Sequence, residues 1–198
     1  MSELSGRRVL VTGGAGFVGS HLAAALVEDN EVRVLDDLSG GSRENVPEGA
    51  QLVVGDIRDD DALAAAMDGA DLVFHEAAMV SVEASVENPP RCNRVNAGAT
   101  VDLLERAREE DARVVLASSS AIYGHPESVP VTEDEPKEPT SPYGIDKLAL
   151  DHYARRYHDL YGLETVPLRY FNVFGPGQNP EYSAVVNVFF QQAASGGP

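Results

Sequence analysis

Short, largely apolar runs recur along the chain. Between them lie longer stretches in which an apolar residue returns every three or four positions. The runs Val9-Leu10-Val11, Val32-Arg33-Val34-Leu35, Leu52-Val53-Val54, Leu72-Val73-Phe74, Val114-Val115-Leu116 and Thr165-Val166-Pro167-Leu168 read as buried strands. The stretches Phe17 to Asp29, Asp59 to Met67, Arg91 to Glu110 and Pro142 to Tyr161 read as helices. The first carries Val18, Leu22, Ala25 and Leu26 on one face. Strands alternating with helices predict an α/β fold, a doubly wound parallel sheet with helices on both faces. Pro167 cannot donate to a sheet ladder, so the last strand is expected at an edge or a bulge. His125 to Pro142, with its recurring prolines and acids, reads as an ordered surface loop. No internal repeat and no long linker interrupt this pattern.

The first strand runs into Thr12-Gly13-Gly14-Ala15-Gly16-Phe17-Val18-Gly19 and then into a helix. Gly14, Gly16 and Gly19 fit the dinucleotide-binding spacing, and Gly13, Gly16 and Gly19 fit its wider variant. Glycine permits the tight turn and lets backbone approach a pyrophosphate, while the helix N-terminus offers free N–H groups. Asp36 closes the second strand about twenty residues later, where a carboxylate would hold ribose hydroxyls. Asp36 and Asp37 together would repel a 2′-phosphate, which favours NAD over NADP; Arg43 keeps the alternative open. Asp56, in Gly55-Asp56-Ile57, stands where a carboxylate would meet the adenine edge. Ala77 and Ala78 would let backbone pass close to the cofactor.

Tyr143 and Lys147 are four apart and share one helix face. Ser141 and Pro142 suit the helix start. An ammonium beside a phenol favours the phenolate and is expected to lower the tyrosine pKa toward use as a general base. Ser118-Ser119-Ser120 ends the fifth strand, at the sheet edge where open parallel sheets bind ligands. A serine there would hydrogen-bond the substrate hydroxyl and the tyrosine oxygen.

Composition then narrows the partners. A net charge of -17 over 198 residues argues against nucleic acid, whose phosphates require clustered Lys and Arg. Lys137 and Lys147 are the only lysines. Such a surface repels itself at low salt and points to a salt-loving host, a merely acidic cytosolic protein being the other reading. No apolar run reaches the length of a membrane span, and the start lacks a signal-peptide core, so no membrane partner and a cytoplasmic location are expected. Cys92 is the lone cysteine and reads as a small buried thiol. His21, His75, His125, His152 and His158 show no ligand spacing, and no metal is expected.

Taken together, Thr12 to Gly19, Asp36-Asp37-Leu38-Ser39, Gly55-Asp56-Ile57, His75-Glu76-Ala77-Ala78, Asn96, Ser118 to Gly124, Ser141-Pro142-Tyr143-Gly144-x-x-Lys147 and Leu168 to Gly175 carry a resemblance over nearly the whole chain. The chain resembles the extended short-chain dehydrogenases/reductases of the NAD-dependent epimerase/dehydratase family. Within them it is most like the nucleotide-sugar 4-epimerases that act on UDP-glucose or UDP-N-acetylglucosamine. The resemblance implies a Rossmann-type fold and NAD-dependent epimerisation at C4 of a UDP-hexose, by transient oxidation to a 4-keto sugar and re-reduction.

It also implies roles. Tyr143 would be the base, Lys147 its partner and the holder of nicotinamide ribose, and Ser119 the catalytic serine, counted four back from Tyr123. Ser120 and Asn172 would join Ser119 and Tyr143 at the substrate, Asn172 at its diphosphate. The cofactor would be held by Gly13, Gly14, Gly16, Phe17, Val18, Gly19, Asp36, Asp37, Ser39, Asp56, Ile57, Ala77, Ala78, Tyr143, Lys147 and Tyr170, with Asn96 supporting the active-site helix beside them. Related dehydratases place an Asp-Glu pair where this chain has Ser120 and Ala121, and related decarboxylases tend to carry a glutamate at the second of these positions. What remains is epimerisation, or net oxidation or reduction of a nucleotide sugar. A non-catalytic dinucleotide-binding regulator is disfavoured by the intact Ser119, Tyr143 and Lys147.

Residues 1–170 are expected to form the NAD-binding domain with the catalytic residues, and 171–198 the start of a substrate lobe. Ser195-Gly196-Gly197-Pro198 is a turn sequence, so a C-terminal portion is expected to be missing and this length of chain to be inactive alone. The resemblance further implies a homodimer formed through the helices Arg91 to Glu110 and Pro142 to Tyr161.

Overall fold

A computed structural model describes residues 4–178 and 185–196, the side chains of 185–188 and 191 excepted. Six parallel strands form one sheet in the order β3-β2-β1-β4-β5-β6. In chain order the elements are β1 (Arg8–Thr12), α1 (Phe17–Leu26), β2 (Glu31–Asp36), β3 (Gln51–Val54), α2 (Asp60–Met67), β4 (Leu72–His75), α3 (Val82–Glu87), α4 (Pro89–Asn93), α5 (Ala99–Glu109), β5 (Arg113–Ser119), α6 (Pro142–Tyr161), β6 (Thr165–Tyr170) and α7 (Val185–Ala194). This is the doubly wound Rossmann order, and all six expected strands are present. Among the described residues no helix is long and apolar enough to cross a membrane.

Alternation along each strand divides the core in two. Val9, Val11, Val32, Val34 and Leu72 face α1 and its Ala23 and Leu26. Leu10, Leu35, Val73, Val114 and Leu116 face α2, α5 and α6 through Leu63, Met67, Leu103, Leu104 and Leu150. Because both faces are covered, the strands read as unbroken apolar runs. Pro167 lies in β6, opposite Leu116, and among the described residues β6 is one of the two edge strands. Proline is tolerated there because an edge strand has an unladdered side.

The expected helix from Arg91 to Glu110 is present, helical from Pro89 to Glu109, but not uniform. It comprises α4, a wide π-helical turn at Arg94–Gly98, and α5. Asn96 sits in that turn with its amide spent on Met79: Met79 N donates to Oδ1 at 2.9 Å, and Nδ2 donates to Met79 O at 3.0 Å. That cross-link to the segment after β4 accompanies the local widening of the helix. The first helix also ends at Leu26, short of Asp29.

Parallel pairing puts all six carboxyl ends on one edge of the sheet. Thr12 pairs with Leu35 and with His75, and Ser119 with Tyr170. The order reverses between β1 and β4, which opens a crevice at their carboxyl ends.

Candidate active site

The glycine loop fills the crevice at the end of β1. Gly13 has φ +68, and a Cβ there would lie 2.6 Å from Ala77 N. A Cβ on Gly19 would lie 2.3 Å from Gly13 O. Neither position admits a side chain, so the loop, α1 and the backbone after β4 are held in close contact. Gly16 is the N-cap of α1 and supplies no side-chain cap. The first-turn N–H groups, including those of Phe17, Val18 and Gly19, therefore keep their donors and the positive end of the helix dipole for a ligand.

Asp36 is buried at the end of β2, its Oδ2 accepting from Ala15 N at 2.9 Å and its Oδ1 from Leu38 N at 2.8 Å. Each oxygen retains a lone pair for a hydroxyl. Asp37 and Ser39 are exposed and bonded to one another, Ser39 Oγ donating to Asp37 Oδ1 at 2.6 Å. Arg43 is exposed in a short 3-10 turn. Asp56 spends its carboxylate on Arg58, whose backbone N–H and guanidinium both donate to it; that hydrogen bonding, against a burial penalty, holds the Asp56 pKa below the usual range. Ile57 is buried beside it, and Ala78 is half-buried after β4.

A clamp on this loop was not foreseen from the sequence. Ser42 N and Asn45 Nδ2 both donate to Ala15 O, at 3.1 and 2.9 Å, and a Cβ on Gly41 would lie 2.5 Å from the Ala15 backbone. Gly40-Gly41 in the sequence was the available signal.

A second unseen device sits beneath Ala77. His75 is buried and bonds Thr12 Oγ1 through Nδ1 at 2.7 Å and Thr100 Oγ1 through Nε2 at 3.0 Å. Thr100 donates its own hydrogen to Asn96 O, so it must accept from Nε2–H. Nδ1 is therefore the acceptor for the Thr12 hydroxyl, which in turn accepts from Ala77 N at 3.3 Å. Burial, helped by the charge of Lys147, pushes the His75 pKa down to about 3 and keeps the ring neutral. The chain of bonds fixes the backbone of Ala77 against the glycine loop.

The serine cluster divides. Ser118 Oγ donates to Asp151 Oδ2 at 3.4 Å, away from the crevice. Ser119 caps the turn Ser120–Tyr123, accepting from Ala121 N at 3.1 Å, and its hydroxyl faces the Tyr143 phenol. Ser120 is half-buried at the start of that turn. Ser141 caps α6 and Pro142 is at its start. Gly144 lets α6 approach the turn, since a Cβ there would lie 2.8 Å from Ala121 O. Tyr143 N donates to Ser85 Oγ at 3.2 Å, a tether from α3 that the sequence did not suggest.

Tyr143, Lys147 and Asp151 follow at four-residue steps along one face of α6. Lys147 is 4% exposed; its Nζ donates to Ala117 O at 2.7 Å and lies 5.8 Å from the Tyr143 ring centroid. The expected lowering of the phenol pKa is not what this geometry gives. Burial raises Tyr143, and the Ser119 hydroxyl pulls the other way without overcoming it. The ammonium makes no hydrogen bond with the phenol, and burial draws its own pKa down to about 8. In this arrangement burial favours the protonated phenol of Tyr143.

Tyr170 ends β6 with its hydroxyl donating to Glu76 Oε1 at 3.1 Å. Asn172 is exposed just beyond β6. A cleft of about 360 Å³ separates Phe17, Val18, His21 and Leu22 on α1 from Val173 and Phe174. Cys92 is fully buried; burial first, then Asp146, pushes its thiol up to about 12.

The glycine loop, the acid after β2 and the Ser119–Tyr143–Lys147 group thus line one edge of the sheet, and comparison with known proteins agrees in fold and in sequence. The UDP-glucose 4-epimerase of Streptomyces lividans is 46% identical over 173 residues, which are 85% of this chain and 53% of that protein. The solved UDP-N-acetylglucosamine 4-epimerase of Methanobrevibacter ruminantium, in complex with UDP-N-acetylmuramic acid, superposes with a TM-score of 0.91 at 40% identity, covering 98% of this chain and 64% of that one. The Thermus thermophilus UDP-glucose 4-epimerase in complex with NAD gives 0.88 at 43% identity, covering 96% and 64%. The chain therefore spans 53 to 64% of the length of these relatives. The sequence profile of the NAD dependent epimerase/dehydratase family matches residues 9–198, and the chain belongs to that family.

Proposed function

We propose that the protein carrying this chain epimerises a UDP-hexose at C4 with NAD as a resident cofactor. The observation that carries the reading is the meeting of Ser119, Tyr143 and Lys147 at the carboxyl ends of β5 and its neighbours, beside an uncapped helix N-terminus that suits a diphosphate.

The residues present fit a dinucleotide. The glycine loop offers backbone donors where no Cβ is tolerated, and Asp36 keeps acceptor capacity for ribose hydroxyls. Gly13, Gly14, Gly16, Phe17, Val18 and Gly19 would line the diphosphate. Asp37, Ser39, Asp56 and Ile57 would border the adenosine end, and Ala77, Ala78, Lys147 and Tyr170 the nicotinamide end. Asn96 acts through the backbone of Met79. When bound, the nicotinamide supplies the reversible oxidation at C4.

Tyr143 receives the proton of the C4 hydroxyl during oxidation and gives it back during reduction. Ser119 orients that hydroxyl, and the Lys147 charge favours the ionised phenol. The protonated phenol, which burial favours, is the form that returns the proton. In this reading Ser120 would meet the sugar beside Ser119, and Asn172 would meet the substrate diphosphate. Ser120 and Ala121 supply no acid and base for elimination, which disfavours dehydration and leaves epimerisation or net oxidation or reduction.

Residues 1–170 form the cofactor-binding unit in this reading, with 171–198 opening the substrate lobe. The exposed Ile145, Tyr153 and Leu160 of α6 support pairing with a second copy, and the charge of -17 supports a high-salt habitat.

The test incubates the complete natural protein in high salt with UDP-glucose, and separately with UDP-N-acetylglucosamine, without added reductant. Appearance of the C4 epimer identifies the reaction and the sugar. Steady accumulation of reduced cofactor without epimer would reassign the protein as a dehydrogenase.

A further inference from the structure

Lys147 is a buried cation without an ion pair. Its ammonium donates to one carbonyl, Ala117 O at 2.7 Å, and among the described residues no carboxylate forms a salt bridge with it. A buried ammonium loses its charge unless a negative group stands near. The groups acting on Lys147 come from four elements. Tyr143 and Asp146 lie on α6, Cys92 on α4, and His75 and Glu76 at the end of β4, with Tyr170 of β6 behind Glu76.

Most of these carry no charge. His75 is neutral, its pKa pushed down to about 3 by burial, and the Cys92 thiol is pushed up to about 12. The Tyr143 phenol is raised by burial. Asp146 is a carboxylate, but it directly precedes Lys147 on the helix, and adjacent helical residues do not face each other. Its Oδ1 is taken by Asn93 Nδ2 at 2.8 Å. Glu76 stands differently in the fold. From the end of β4 it bonds the Tyr170 hydroxyl of β6 at 3.1 Å, across the end of β5 where Lys147 Nζ meets Ala117 O. Burial raises its pKa, while the Tyr170 hydroxyl and the Lys147 charge pull it down toward the carboxylate.

We infer that Glu76 is the counter-charge of the buried Lys147 ammonium, fixed in place by Tyr170, and so a positioning residue for the Tyr143–Lys147 pair. The inference rests on the reading of that pair as the catalytic one. Its physical consequence follows from charge alone. A carboxylate in electrostatic reach favours the protonated amine and raises its midpoint of titration. Burial already brings Lys147 to about 8, so loss of Glu76 carries the midpoint to the neutral side. A fall of one pH unit would take the ammonium at pH 7.5 from roughly three quarters charged to roughly one quarter. The phenol would lose the positive neighbour that favours its ionised form.

The sequence makes the test simple, because Lys137 and Lys147 are the only lysines. With lysine labelled in its side-chain carbons, an NMR titration without nucleotide shows two Cε resonances, and Lys137→Arg assigns them. In Glu76→Gln the Lys147 midpoint is expected to fall by about one pH unit, with Asp146→Asn moving it less. Should Glu76→Gln fail to fold, Glu76→Asp, which keeps the charge and retracts it, must lower the midpoint by a smaller amount. An unchanged midpoint in Glu76→Gln, or a larger fall in Asp146→Asn, overturns the assignment. This readout needs no turnover, so failure of the epimerase reading would leave the counter-charge standing and remove only the positioning role. If both hold, the acid limb of kcat against pH moves in Glu76→Gln and returns toward wild type in Glu76→Asp.

Discussion

Thr12 and His75 close adjacent strands on either side of the crevice and share a hydrogen bond of 2.7 Å. Through it, the end of β1 is locked to the end of β4, and the neutral ring carries the lock on to Thr100 and α5. The crevice edge is thus tied by a buried polar chain in which every member is satisfied.

That chain predicts a histidine that does not titrate. The His75 pKa is depressed to about 3 from an ordinary 6.5, so the unfolded chain binds a proton over a range where the folded one does not. Its contribution to stability is full above pH 6.5 and drains away as pH falls toward 3. Nitrogen NMR should show one ring with an unprotonated Nδ1 and a protonated Nε2, unmoved between pH 7.5 and 5, that disappears in His75→Gln.

Gly19→Ala should damage the cofactor site more than the fold. The added Cβ would lie 2.3 Å from Gly13 O, so the loop must shift. Overpacking of this kind costs about 1–3 kcal/mol. Calorimetry should find NAD binding reduced beyond detection, with the melting temperature lowered by only several degrees.

Asp36→Ala should weaken NAD binding by about tenfold or more, the loss of charged hydrogen bonds to ribose. Affinity for NADP should fall less or rise, because one of the two carboxylates that repel a 2′-phosphate is gone. Equal losses for both cofactors would place Asp36 in support of Ala15 and Leu38 alone.

Asp151 and Arg169 join α6 to β6. Arg169 Nε donates to Asp151 Oδ2 at 3.0 Å, and the side chains are 2% and 11% exposed. Burial alone would raise the Asp151 pKa, but Arg169 and Arg155 hold it below the usual range. Asp151→Asn leaves a buried guanidinium without its partner and should cost about 3–5 kcal/mol in urea unfolding. The pair's stabilisation is present above the ordinary carboxylate pKa and is lost as pH falls through the lowered one.

The sheet was legible because β1, β2, β4 and β5 are covered on both faces, which leaves unbroken apolar runs such as Val9-Leu10-Val11. Tyr143 and Lys147 were legible because i, i+4 spacing fixes a shared helix face. Helix α3 was not, since its Val82 and Val86 are exposed and its six residues show no inward stripe. With α3 went Ser85, the tether of Tyr143. The wide turn at Arg94–Gly98 was hidden because apolar spacing continues through a π-turn. Glu76 stood in a quoted motif without a role, because its partners Tyr170 and Lys147 are 94 and 71 positions away and meet it only in the folded sheet. The direction of the Tyr143 pKa failed for a similar reason: spacing gives proximity to Lys147, whereas burial depends on the whole crevice.

Tyr143→Phe should abolish turnover by about 10²–10⁴-fold or more while leaving NAD binding near wild type, because the ring stays and only the proton carrier goes. Equilibrium binding beside initial rates separates these two effects.

The central claim, oxidation and re-reduction at one carbon within one site, is tested most directly with UDP-glucose deuterated at C4. The complete natural protein should convert it to UDP-galactose that still carries the deuterium at C4, measured by mass spectrometry with unlabelled NADH in solution. If UDP-N-acetylglucosamine is the substrate, the same label placed there gives the same result. Product that has lost the deuterium to solvent or to the external NADH pool would contradict the account.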